Sequence, residues 1–459
     1  MGREEEEEPR ATNAGGHQYL NRSVLRKPPP RLALTISRTA SLLVLLQRQA
    51  ATPAQRSRSA STMAAGAEGA GAAERASASL PDDVISSILL RLPPRPLGRC
   101  RAVCKAWRGL LSDRLLLLAH HRLQPVLPLL CSHRNVVDED VFAQLMALHH
   151  YCIEAVELRA AQPPRVIVRF KDSECIPHPD GSVFDALEVH GSCDGLLLLN
   201  HLDAFFVCNP TTRQWARLPP LLRASHVAGF YAHAPSGEYR VLHQGSVGDE
   251  TEYYVLTVGS QQARSIERRA SSAPLGDALA RGLDRAGTIP PVLLCGSLHW
   301  PPQWLLQENI VVFDTAAEVF RSMTPPVKGG RSYLFEMEGK LALSCCDQGA
   351  WSADLWIMQD YNSESWVLTR QVEVPVANRV GNDAPWDATI VSQEGDMLVK
   401  LNDRVLHYDS NGELLQTFDC DGPLIYFTRH MLKESLVPHP FFQRQQDGDT
   451  DGPPFFRGL

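Results

Sequence analysis

The sequence is short of what most bond-making proteins need. Its 459 residues contain no Gly-x-Ser-x-Gly elbow, no phosphate-cradling glycine loop and no dinucleotide fingerprint. Basic excess is missing too: the net charge is −7, so there is no overall electrostatic footprint for nucleic acid. Apolar runs such as Ser41–Leu46 and Leu115–Ala119 stop far short of the ~20 residues a membrane span needs. Neither nucleic acid nor membrane is expected as a partner. The eleven cysteines include no Cys-x-x-Cys and no zinc spacing, and only Cys345-Cys346 are adjacent. An odd, scattered set of thiols without a signal peptide is the pattern of reduced cysteines, so the chain is expected in the cytoplasm and/or nucleus. No distal glutamate completes a calcium loop after Asp447, Asp449 and Asp451. His120-His121 and His149-His150 are adjacent pairs, which on a helix diverge by about 100° and suit surface positions. No catalytic residue, metal or cofactor is expected.

What is present is one dense helical stretch, Leu80–Arg122. Pro81 suits a first helical position, where its missing N–H would be unbonded anyway. Asp82 and Asp83 then oppose the positive end of the helix dipole. Ile85, Ile88, Leu89 and Leu92 fall at i, i+3, i+4 and i+7 as one apolar stripe. Pro93 and Pro94 end that helix. Pro96 is placed to open a second, with Leu97, Cys100, Val103 and Cys104 on one side, and Trp107, Leu110 and Leu111 mark a third. A module of about 40 residues is marginal without disulfide, metal or partner. The first two are not encoded, so a partner is the economical reading.

This stretch resembles the F-box, the adaptor-binding module of SCF-type ubiquitin ligases. The likeness is carried by Leu80-Pro81-Asp82-Asp83, by Ile88-Leu89-Leu90-Arg91-Leu92-Pro93, by Leu97, and above all by Arg101-Ala102-Val103-Cys104-Lys105-Ala106-Trp107-Arg108. Ser87 stands where many members carry Glu, and Arg95-Pro96 replaces the usual short connector. The resemblance implies docking on a Skp-type adaptor, and through it a cullin. The implied contacts are Leu80, Pro81, Ile85, Ile88, Leu89, Leu92, Pro93, Leu97, Val103, Cys104 and Trp107, some of which must instead be internal core.

The flanks read differently. Residues 1–79 are expected to be disordered and dispensable. Glu4–Glu8 is followed by a stretch, Pro9–Thr62, with nine Lys or Arg and no acid. That stretch is transit-peptide-like, but the leading glutamates argue against import, and Met63 offers a second start. Residues 123–164 are expected to form a helical linker, with a turn or two of helix over Val141–Leu148. Residues 436–459 are expected to form a disordered tail.

Between them, residues 165–435 are β-patterned. Ala388–Phe418 holds four short strand candidates, and Asn411-Gly412 signals a type I′ hairpin. Related units centre near Val207, Val255, Val312, Ile357 and Leu406, spaced 48, 57, 45 and 49 residues apart. Blade repeats run about 40–50 residues, so five to seven propeller-like blades are expected. Cys193-Asp194-Gly195-Leu196-Leu197, then Cys208-Asn209-Pro210-Thr211-Thr212 with Trp215, and Gly296–Trp300 before Phe313-Asp314, resemble the F-box-associated domains of plant F-box proteins. Ser260–Thr288 reads as a long exposed loop.

The expected fold class is therefore α+β and multidomain: a three-helix F-box, then an all-β propeller-like domain. Trp304, Trp351 and Trp386 sit among Pro, Gly, Gln and Asp and are the candidate substrate-binding surface. The implied function is substrate recognition for an SCF-type ligase, with an unidentified protein substrate. The alternative is a small-molecule or glycan receptor in which the β domain binds ligand and the F-box couples it to degradation.

Overall fold

The computed structural model describes residues 81–443 and Phe456, leaving out 137–147, 159–163, 173–186, 202–203, 222–225, 248–249, 268–271, 284–288, 304–307, 348–350, 374–386, 391–395, 401–403, 410 and 420–423. Leu80, Trp304, Trp386 and the expectations for residues 1–79 lie outside this set, as does most of Val141–Leu148.

Among the described residues four short helices come first: α1 (Asp82–Leu89), α2 (Pro94–Cys100), α3 (Lys105–Leu110) and α4 (Arg114–Leu123). Pro81 is the N-cap of α1 rather than its first residue, and α2 opens at Pro94 rather than Pro96. Both shifts follow from proline chemistry: the fixed φ fits a helix start, and the lost N–H costs nothing there.

The strands then run four to a sheet. β1 (Val126–Val136), β2 (Leu148–Ala155) and β3 (Arg165–Asp172) begin the first blade. The second holds β4 (Glu188–Cys193), β5 (Leu196–His201), β6 (Ala204–Asn209) and β7 (Gln214–Arg217). The third holds β8 (His226–His233), β9 (Glu238–Val247), β10 (Glu250–Thr257) and β11 (Arg264–Ile266), followed by helix α5 (Ala273–Arg281). The fourth is β12 (Val292–Leu294), β13 (Ser297–Trp300), β14 (Ile310–Asp314) and β15 (Val319–Met323). The fifth is β16 (Arg331–Met337), β17 (Lys340–Asp347), β18 (Ser352–Asp360) and β19 (Ser365–Glu373). The sixth is β20 (Asp387–Ile390), β21 (Met397–Lys400), β22 (Arg404–Tyr408) and β23 (Leu414–Asp419). Finally β24 (Leu424–Lys433) returns to pair antiparallel with β1, from Val126 opposite Lys433 to His133 opposite Leu424, and short α6 (Pro440–Gln443) follows. The C-terminal strand thus completes the N-terminal blade, and the count is six.

The core sits between blades. One apolar cluster joins Leu197 and Leu199 of blade two to Ile153 and Val168 of blade one. Others join blades two to three, three to four, four to five and five to six. Leu398 and Val405 of blade six pack near Met431 of β24 and close the circuit. The five expected unit centres all fall on the third strand of a blade: Val207 on β6, Val255 on β10, Val312 on β14, Ile357 on β18 and Leu406 on β22.

Several expectations are corrected. Residues 123–164 are no helical linker where they are described: α4 ends at Leu123, and Val126–Val136 and Leu148–Ala155 supply β1 and β2. β1 is leucine-rich and carries Pro128 beside a register shift, so its local pattern favours no period, and distant β24 makes it a strand. Residues 436–459 do not simply trail: Val437, His439, Phe442 and Phe456 are buried. Ser260–Thr288 contains α5, which buries Leu275, Ala278 and Leu279 and accepts from Tyr253 Oη at Leu279 O (3.0 Å). Asn411-Gly412 is not type I′. Only Gly412 has positive φ, 83°, while Asp409 Oδ1 accepts from the Asn411 and Glu413 N–H groups. The type I′ pairs are Asp194-Gly195, Cys295-Gly296 and Glu338-Gly339, each with two successive positive φ values and each joining the first two strands of a blade.

Candidate functional site

Apolar side chains of the helical module are largely withdrawn from solvent. Leu89, Leu97 and Leu111 are fully buried, and Leu92, Cys100, Trp107 and Leu117 nearly so. Cys104 is the N-cap of α3, its Sγ accepting from Trp107 N at 3.4 Å. That contact explains the spacing within Val103-Cys104-Lys105-Ala106-Trp107: the cap orients the first turn that delivers the indole inward. Asp113 caps α4 through Leu115 N at 2.9 Å.

The implied docking residues now divide. Leu89, Leu92, Leu97 and Trp107 are buried. Pro81 and Pro93 are exposed, and Ile85, Ile88, Val103 and Cys104 are half-buried. The available ridge on α1 is therefore Pro81, Ile85 and Ile88, joined by exposed Val84. Sequence reasoning missed Val84, although it precedes Ile88 by one helical turn. It also missed Leu115 and Leu123, which are 74% and 63% exposed.

Burial of His120 and His121 overturns their surface assignment. His120 Nε2 donates to Leu92 O at 2.8 Å, tying α4 to the end of α1. Desolvation is the main influence on its ring and lowers its pKa. His121 turns the other way, Nδ1 donating to Glu434 O at 3.0 Å. Adjacent side chains on one helix thus bond to the two modules it separates.

Glu434 belongs to a C-terminal strap, residues 434–443, that follows β24. Its carboxylate pairs with Arg165 of β3 at 3.0 Å. Fully buried Asn209 donates from Nδ2 to Ser435 O at 3.0 Å, while its Oδ1 accepts from the Thr211 and Thr212 N–H groups. Gly195 lies under the strap with φ +83°; a Cβ there would sit 2.4 Å from Ser435 Cβ and 2.8 Å from Lys433 O. Asp194 accepts from Tyr239 Oη at 3.1 Å, and Tyr239 meets His439 and Phe441 edge to face. The Asp-Gly and Asn-Pro-Thr-Thr motifs of blade two are therefore the bed on which the strap lies.

Trp351 is not a surface residue. It is 6% exposed and packs with Tyr333, Leu355, Val399 and Leu406 between blades five and six, despite polar neighbours in sequence. One polar network joins blades four and five. Tyr361 Oη accepts from Arg321 (2.8 Å) and donates to His299 Nε2 (2.7 Å), leaving Nδ1–H for Val292 O (3.1 Å). Burial holds His299 neutral, its pKa lowered to about 4. Among the described residues no group of three or more His, Cys, Asp or Glu could hold a metal, and no helix is long and apolar enough to cross a membrane.

A small helical module seated on a six-bladed ring is a two-part architecture. Residues 77–123 match the family model F-box-like, and residues 172–432 match the model F-box associated beta propeller domain. The second match spans more than half of the chain, which belongs to the family of F-box proteins with an associated β-propeller. F-box protein At3g07870 of Arabidopsis thaliana is 27% identical over 378 residues, 73% of this chain and 82% of that protein. F-box protein At5g49610 of the same plant is 24% identical over 393 residues, 78% of this chain and 97% of that one. A further Arabidopsis thaliana F-box protein, At1g33530, is 27% identical over 308 residues; the match spans 63% of this chain but only 62% of that relative.

Proposed function

We propose that the chain is the substrate-recognition subunit of an SCF-type ubiquitin ligase. The F-box docks on a Skp-type adaptor, the adaptor reaches a cullin, and the propeller holds a protein substrate. The observation that carries this reading is the α1 ridge. Pro81, Val84, Ile85 and Ile88 stay accessible while Leu89, Leu92, Leu97 and Trp107 of the same module are buried. An apolar ridge that the fold leaves accessible is a surface available to a partner. The chain does no bond chemistry in this reading. It raises the effective concentration of substrate beside the transferase, turning a bimolecular encounter into a nearly intramolecular one.

Trp304 and Trp386 are the proposed substrate contacts, and the proposed setting is the cytoplasm and/or nucleus. The test is co-purification of the full chain with a Skp-type adaptor, using Val84→Asp with Ile88→Asp. Capture is expected to fall at least tenfold, and undiminished capture by a folded double variant sinks the reading. Proximity labelling in cells, with and without a proteasome inhibitor, identifies the substrate as the neighbour that accumulates only under inhibition.

A further inference from the structure

We infer that the cleft between the F-box and the first blade binds a small amphipathic anion: an apolar body carrying one carboxylate, sulfonate or phosphate. The cleft has a volume of about 890 Å³, within the roughly 300–1,000 Å³ of small-molecule sites, which favour such junctions. Both modules build it. Leu90 and Pro96 come from the F-box side, and Leu127 and Ala155 from β1 and β2.

Charge chooses the ligand. Arg91 and Arg95 line the cleft, are exposed, and meet no carboxylate among the described residues. Arg165, also at the cleft, is already engaged by Glu434. Exposed Glu157 is the acid left without a described partner, so the unpaired lining carries two positive charges against one negative. A cation would face two guanidinium groups, and a neutral ligand would leave both unused. An oxyanion matches their planar fork. The apolar part of the ligand has its own reason to enter. Leu123 lines the cleft while 63% exposed, although α4 otherwise turns Leu117, His120 and His121 inward.

The inference goes beyond the ligase reading and does not depend on it. The proposed docking ridge uses Pro81, Val84, Ile85 and Ile88, whereas the cleft is lined by other residues of α1 and α2. It also moves the ligand from the face of the β domain to its junction with the F-box. A molecule seated there would touch both modules at once and stiffen their mutual orientation.

The probes are anilinonaphthalene sulfonate, an amphipathic anion, and its uncharged analogue phenylnaphthylamine, each titrated by fluorescence into the full chain. One saturable site per chain is expected. Arg91→Gln with Arg95→Gln should weaken the sulfonate about tenfold, or ~1.4 kcal/mol, and leave the neutral probe unchanged. Leu123→Asp should weaken both. Equal responses of the two probes to the arginine pair, or no response to either variant, overturn the inference. If the arginine variant proves unfolded, salt serves instead: added sodium chloride should weaken the sulfonate and not the neutral probe, and a salt-independent sulfonate affinity overturns the inference.

Discussion

His121 Nδ1 donates to Glu434 O across 313 residues of sequence, at 3.0 Å. That bond joins the last F-box helix to the strap after the last strand, so the two ends of the described chain hold each other in place. The strap is in turn held by Asn209. Asn209→Ala would leave Ser435 O and two backbone N–H groups without their partner, at about 2–3 kcal/mol. A lower urea midpoint is expected, with faster amide exchange in residues 434–443 than in the blades. Unchanged exchange there would show that the strap is held by other contacts.

Gly195→Ala tests the same bed by sterics. Its Cβ would meet Ser435 and the Lys433 carbonyl at positive φ, whereas Gly237→Ala has positive φ and open space. The first should cost at least ~2 kcal/mol more than the second in denaturant melts, because overpacking adds to backbone strain. Equal costs would mean that the strap yields freely.

Within the F-box, core and ridge should separate cleanly. Leu89→Ala empties a fully buried site and is expected to cost about 2–5 kcal/mol. Val84→Asp changes an exposed residue and should shift stability by less than about 0.5 kcal/mol. Adaptor capture should fall for both, by unfolding in the first case and by loss of contact in the second, and thermal melts tell the two apart.

Acid should loosen the propeller. Burial lowers His243, His299 and His439 to about 4 and His430 to about 3, against about 6.5 in an unfolded chain. Below 6.5 the unfolded state takes up protons that the fold refuses, so stability falls as pH drops toward 4 and levels off once the folded rings titrate. Each histidine contributes up to about 1.4 kcal/mol per pH unit in that window. Chemical denaturation between pH 7 and 4.5 measures the slope, and His299→Gln should reduce it. A slope unaffected by every histidine substitution would assign the acid sensitivity to carboxylates.

Trp351→Ala should cost about 3–5 kcal/mol as an inter-blade core residue. A cost below 1 kcal/mol would restore it to the surface. The misreading is instructive. Its neighbours are polar, but Trp351 has positive φ, 54°, beside the start of β18, and that turn geometry is not written in composition. Units with all four strands consecutive were legible, since Val207, Val255, Val312, Ile357 and Leu406 were placed on equivalent strands by spacing alone. β1 and β2 were not, because their blade is completed by a strand some 290 residues away. The F-box stripe was legible as a stripe. Which of its members face inward depends on how α2, α3 and α4 wrap it, and periodicity of one helix cannot encode that. His120 and His121 were assigned to the surface because nothing local announces the carbonyls of Leu92 and Glu434 that receive them.

The late return of β24 has a consequence for synthesis. The F-box and three strands of blade one leave the ribosome well before their fourth strand and the strap, with five blades made in between. Until then the ring stays open and α4 lacks its seat. A chain interrupted before Leu424 would still carry every F-box residue, but neither the ring nor the F-box orientation would be fixed. Because β24 pairs with β1 and His121 bonds to Glu434, ring closure and the seating of α4 on the strap can both form only after β24 and the strap have been translated.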